Sequence, residues 1–310
     1  MAQNSLGTYK KSGIPVRHPK GSSFGPMVFV DADYGNDDNL GTRPDRAVAT
    51  IEKGVVIAGL EGYDATIVVR RGFYQPADTI ALTSDHEGIS IIADRIMPCM
   101  AGANHKIYNI GGPDNIFTIN GADNVEIAGF RMWPEMLQTA VGINIGNTSG
   151  CVGTWIHDNA IINVEAAEMA CSVKMGTAEC QYLLIEDNLF HCGGSVAAGT
   201  GIVDWTLATR SMVRRNHFDI IRNAATSCGI FVSNAAAPRG RILDNTFNGT
   251  EVGVAAMVAR AIYAAQAMTA GDFLIDGNKT TNLAIPFSAY ITPAAVFGMN
   301  YLNEAVVASS

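Results

Sequence analysis

Two columns of titratable residues in this chain could do chemistry, and a recurring asparagine sets both. Two places before it stand His157, Glu186, Arg214, Leu243 and Asp276, and immediately before it Asp158, Asp187, Arg215, Asp244 and Gly277. If successive repeats stack at roughly 4.8 Å, Asp158 and Asp187 become neighbouring carboxylates. Glycoside hydrolysis uses such a pair, one carboxyl kept protonated as acid and the other acting as nucleophile or base. A lyase would use the same acids to hold Ca²⁺ and take Arg214 or Arg215 as base. The alternating signs of Asp187, Arg215 and Asp244, with Glu186 beside Arg214, equally describe a charge-balanced face without catalysis. No catalytic residue is assigned on this ground, and Asp158, Asp187 and Arg215 are the candidates if the chain is an enzyme.

Other groups are weaker sources of chemistry. Asp31, Asp33, Asn36, Asp37, Asp38 and Asn39 cluster the oxygens that Ca²⁺ takes, but Thr42 stands where an EF-hand loop begun at Asp31 needs its final Glu. Turn formation explains the same residues, so no cofactor is assigned and Ca²⁺ at Asp31, Asp33, Asp37 and Asp38 is the alternative. Cys99, Cys151, Cys171, Cys180, Cys192 and Cys228 lack zinc-ligand spacing and read as buried thiols in a reduced compartment. The histidines, His18, His86, His105, His157, His191 and His217, are scattered, and His191 and His217 read as loop residues after the asparagine. Trp133, Trp155 and Trp205 could serve as stacking platforms for a sugar, or as ordinary core.

The elements that would position these groups follow from one phrase: IHDNAI at 156 to 161, IEDNLF at 185 to 190, VRRNHF at 213 to 218, ILDNTF at 242 to 247 and IDGNKT at 275 to 280. Its asparagines lie 29, 28, 29 and 33 residues apart. Apolar residues alternate in bursts too short for helices, and a second set around Ile143, Val173, Ile202 and Ile230 keeps the same phase. The pattern predicts an all-β, single-domain right-handed parallel β-helix with about 29 residues per coil. Asn159, Asn188, Asn216, Asn245 and Asn278 form an architectural ladder, each in the left-handed conformation at a sharp bend and bonded to the asparagines above and below. Phe190, Phe218 and Phe247, with Ile161, form a core column beside it.

A solenoid grows by adding coils, so 310 residues fit one body. The net charge of -8 and the absence of a Lys/Arg stripe argue against nucleic acid as partner. No apolar run has the length of a membrane span, and the first residues lack a signal peptide's apolar centre, so the chain is expected to be made in the cytoplasm.

Residues 1 to 26 mix Lys10, Lys11, Arg17, His18 and Lys20 with Gly, Pro and Ser, as an arm ordered against an assembly would. Residues 27 to 60 read as a leading strand, an Asp/Asn/Gly loop and a short helix, capped by Asp45 and running to about Ala58, that closes the solenoid's end. VDADYGNDDNLGTRPDRAVATIEKG resembles the corresponding segment of pectin-lyase-like β-helix proteins, and ATIVVRRGFYQPADTIAL with GISIIAD is similar to their first rungs. The resemblance covers about 27 to 290 and implies the fold rather than the activity. The Asn-Thr-Asp, Gly-His-Gly and Arg-Ile-Lys strings of the polygalacturonase-like enzymes and the Gln-Asp-Thr-Leu of pectin methylesterases are absent.

The β-helix is expected over 61 to 290, with 252 to 268 as either an inserted helix or a coil packed on both faces, and an apolar tail over 291 to 310. Apolar ends and flanks of this kind are buried in related viral proteins by three β-helices side by side. The sequence therefore reads as a structural or adhesive virion component, a phage capsid decoration or tail protein. It is expected to be a homotrimer that docks to other virion proteins through residues 1 to 26. The alternatives are a polysaccharide lyase or glycosidase of the same fold, and a non-catalytic carbohydrate-binding solenoid.

Overall fold

The computed structural model describes residues 26–61, 64–94, 105–108, 115–133, 141–163, 171–176, 178–192, 201–220, 228–233, 239–249, 260–265, 273–281, 283, 295–297 and 299–300 of the body, and the short antiparallel pair Tyr9–Lys11 and Ile14–Val16. Short β-branched and aromatic runs become strands because each buries one apolar side chain inward and pairs its backbone with the coils on either side. The coil beginning at Leu184 shows the plan. Leu184–Glu186 lies in a ten-stranded sheet, Leu189–Cys192 in an eight-stranded sheet and Val203–Trp205 in a seven-stranded sheet. A short strand, Ala208–Thr209, paired with Cys180–Gln181 of the coil before, then leads to Met212–Arg214, which pairs in parallel with Leu184–Glu186. The architecture is a parallel β-solenoid.

Register is exact from coil to coil, because a slip of one residue would turn every apolar side chain outward. Ile67, Ile91, Ile127, Ile156, Ile185, Val213, Ile242 and Ile275 form one continuous inward column, all at most 1% exposed. In the eight-stranded sheet Phe190, Phe218 and Phe247 stack with centroids 4.9 and 4.7 Å apart. They share a column with Ile161, as the repeat predicts.

Two expectations need correction. The helix is Ile51–Glu61, while Pro44–Arg46 is a separate 3₁₀ turn, so Asp45 does not cap it. The cap is Thr50, whose Oγ1 accepts the Lys53 N–H and is itself held by Asp37. Ile51, Val55 and Ala58 are buried, and Val48 is buried ahead of the helix, in a parallel bridge to Val30. The left-handed residue at the bend is the one before each ladder asparagine: Asp158, Asp187, Arg215 and Asp244 have φ of 53° to 55°, and Gly277 has 68°. The asparagine must point inward to bridge coils, which leaves the positive φ to the neighbour whose side chain faces out.

The first rung, Met27–Val30, is closed at its free edge. Phe29 N–H donates to the Gly41 carbonyl and Asp31 N–H to that of Val48, covering an edge that would otherwise offer itself for pairing. Of 252 to 268, the described part, Arg260–Ala264, is the last strand of the seven-stranded sheet. The arm's residues apart from the short pair above, Cys99 and the tail from 301 lie outside the described residues.

Candidate functional site

The bend between the ten- and eight-stranded sheets carries the residues that the sequence singles out. Each ladder amide is fully used. Asn188 Nδ2 donates to the carbonyls of Ile156 and Glu186 and to Asn216 Oδ1, and its backbone N–H also donates to Asn216 Oδ1. Its own Oδ1 accepts from the N–H and Nδ2 of Asn159. The same pattern runs through Asn216 and Asn245 to Asn278 and then to Asn300, a sixth member 22 residues on. At the other end Phe130 occupies the ladder position and donates its N–H to Asn159 Oδ1.

Outside this ladder lies a chain of charges on the outer face of the ten-stranded sheet. Ser90 Oγ donates to Glu126 Oε2, and Glu126 Oε1 lies 2.9 Å from His157 Nε2, whose Nδ1 is 2.8 Å from Asp158. With a carboxylate at each ring nitrogen the imidazole serves as donor at both. Burial alone would lower its pKa, but Asp158 and Glu126 outweigh that and hold it up to about 9. One coil on, Glu186 accepts Arg214 Nε at 2.5 Å and Arg215 Nη2 at 2.7 Å, and Arg215 also grips Asp187 through Nε and Nη2 at 2.9 and 2.6 Å. Trp155 stacks on His157 with centroids 3.8 Å apart, and together with Leu184, Met212 and Leu243 it walls this network.

This geometry bears on each chemical role considered. Asp158 and Asp187 stand at equivalent bends of adjacent coils, but one is bonded to an imidazolium and the other lies in a guanidinium fork. Both carboxylates are thus engaged by a basic partner. Asp187, and then Glu186, raise the pKa of Arg215, which opposes its use as a base. The corner presents paired charges held in register from coil to coil.

The other sequence candidates fall elsewhere. Asp31 accepts the amides of Asp33 and Tyr34 and pairs with Arg70, while Asp37 accepts the amides of Ala49 and Thr50. Among the described residues no group of three His, Cys, Asp or Glu is placed to hold a metal ion. His191 and His217 lie on strands rather than in a loop, because the chain re-enters a sheet directly after the ladder. They bracket Asp219 at 3.5 and 2.9 Å. Trp205 is fully buried with its Nε1 donating to the Ala208 carbonyl, and Trp155 is buried as well, so neither offers a free face. Trp133 is half-buried with the Arg131 guanidinium 4.1 Å from its ring. Cys151, Cys171, Cys180 and Cys228 are buried thiols that form no disulfide among the described residues.

Sequence reasoning missed the outer column of the seven-stranded sheet: Asn144, Lys174, Asp204, Phe231 and Tyr263 in register. Asp204 is 7% exposed, and burial pushes its carboxyl up against the opposing pull of Lys174, Thr206 and Ser233. Asn144 Oδ1 is buried without a partner among the described residues. The alternation in TGIVDW places Asp204 outward between core-facing Val203 and Trp205, but carries no signal that it is buried there.

No family model matches this sequence, and no curated protein matches it either. Solved structures similar to it include the following three. ORF18 of Geobacillus virus E2 is 10% identical over 81% of this chain, which spans 57% of that protein, with a TM-score of 0.44. Escherichia coli YbhC is 12% identical, with 90% of this chain and 77% of that one covered and a TM-score of 0.46. A GH136 lacto-N-biosidase from Eubacterium ramulus is 10% identical over 89% of this chain and 67% of its own, with a TM-score of 0.32.

Proposed function

We propose that this chain is a structural or adhesive component of a virus particle, a trimer of β-solenoids of the pectin-lyase-like kind made in the host cytoplasm. The observation that carries the reading is the engagement of every candidate catalytic group. Asp158 is taken by His157, and Asp187 and Glu186 by Arg215 and Arg214. A body tied coil to coil by buried amides and balanced charges is suited to bear load and to hold a surface in place. The basic, Gly- and Pro-containing residues 1 to 26 support docking to a neighbouring virion protein, and the apolar composition of 291 to 310 supports contact between copies.

The reading expects the full chain to sediment as a trimer. A chain lacking residues 1 to 26 should remain folded but fail to attach to particles. A monomer in solution, or attachment that survives the truncation, would contradict it. Incubation with acidic and neutral polysaccharides should yield no new chain ends, and Asp187→Asn should alter stability without altering any turnover. Depolymerisation lost in a folded Asp187→Asn protein would move the chain to the enzymes.

A further inference from the structure

A second column of left-handed residues precedes the ten-stranded sheet, at the turn opposite the asparagine ladder. On three coils the place is held by Gly88, Asn124 and Gly153, which take positive φ readily. On the next three it is held by Tyr182, Arg210 and Arg239, with φ of 57°, 51° and 42°. The turn itself does not require these bulky side chains, since glycine and asparagine make it on the preceding coils. Arg210 and Arg239 stand at the same offset from the paired residues Met212 and Arg241, one coil apart. With Glu179, Gln181 and Thr209 they line a recess of about 330 Å³.

The two guanidiniums are exposed, and neither forms an ion pair among the described residues, although Glu179 lines the same recess. Arg43, Arg70, Arg214 and Arg215 by contrast are each matched to a carboxylate. Arg210 is held by Tyr182: its Nη1 donates to the phenol oxygen at 2.7 Å and its guanidinium carbon is 5.7 Å from the ring centroid. Like charges stacked one coil apart repel, and an oxyanion seated between them removes that repulsion while accepting from both forks. The Gln181 amide and Thr209 hydroxyl add neutral hydrogen-bonding groups beside them.

We propose that this recess binds an oxyanion carried on a polysaccharide, with Arg210 and Arg239 clamping the anion and Gln181 and Thr209 meeting sugar hydroxyls. This deepens the adhesive half of the reading above, and binding by purified chain tests it separately from docking to particles. The shared chemistry is a carboxylate or a phosphate on a glycan. Titration calorimetry of the purified full chain with alginate, with teichoic acid and with neutral dextran separates these sources. At least one anionic polymer should bind and dextran should not, the binding polymer identifying the group. Arg210→Gln with Arg239→Gln should weaken binding about tenfold or more, whereas Arg71→Gln, an exposed arginine elsewhere, should leave it unchanged. If circular dichroism shows the double variant unfolded, Arg239→Gln alone carries the test, with a severalfold loss expected. Failure of both anionic polymers to bind, undiminished binding by the folded variant, or an equal loss on Arg71→Gln would overturn the proposal.

Discussion

At the residue scale, two buried ionisable groups, His157 and Asp204, both favour their protonated form in the folded chain. The folded pKa of His157, near 9, lies above its ordinary 6.5. Its contribution is therefore complete below pH 6.5 and is lost as pH rises through about 9. A shift of this size corresponds to on the order of 3 kcal/mol. Chemical denaturation should accordingly show stability falling between pH 6.5 and 9, and His157→Gln should flatten that dependence. Asp204 is also raised, but as an acid, so its stabilisation is complete below the ordinary carboxylate value and lost as pH rises through the folded one. Asp204→Asn should raise the melting temperature at pH 7, by roughly 1 kcal/mol in stability, with the gain fading toward pH 4. A variant less stable at pH 7 would mean that the charged form is the one the fold favours. Of these two residues the sequence singled out His157, through its place in the repeat. Asp204 stayed hidden because burial of an outward side chain depends on what lies over the sheet, and alternation alone does not encode that.

At the element scale, the ladder and the aromatic column are the parts most legible in the sequence, since a fixed period writes them out in the same order in each coil. Asn188→Ala would strip the Ile156 and Glu186 carbonyls of a donor and leave the backbone N–H and Nδ2 of Asn159 without the oxygen that accepts from them. The expected loss is about 3 kcal/mol or more, read as a drop in the denaturation midpoint. Phe218→Ala removes the middle ring of the stack between Phe190 and Phe247 and should cost about 3 to 5 kcal/mol. Asn300 escaped notice because its phrase, FGMNYL, puts Gly and Met where the other members carry mostly polar residues, and its spacing falls to 22. The left-handed residue was misplaced by one for a physical reason: asparagine tolerates positive φ, but here its amide is committed to bridging coils. The helix start was misjudged because Asp45 serves a separate turn and the real cap, Thr50, is fixed by Asp37 from 13 residues earlier.

At the scale of the whole molecule, the solenoid has one end built shut. The loop through Gly41 and Val48 covers the first strand and Ile51–Glu61 packs over it. Six asparagines, from Asn159 to Asn300, tie the coils that follow into one hydrogen-bonded line. Composition and period made this architecture legible. The assembly it serves is written in segments without a period, so the docking and trimer parts of the virion reading rest on residues 1 to 26 and 291 to 310. Electron microscopy of particles from the source material tests that reading most directly. The account predicts three copies side by side at fixed sites on a capsid or tail, with residues 1 to 26 ordered against a neighbouring protein. Particles that lack the chain, with the protein recovered as a free monomer, would contradict it.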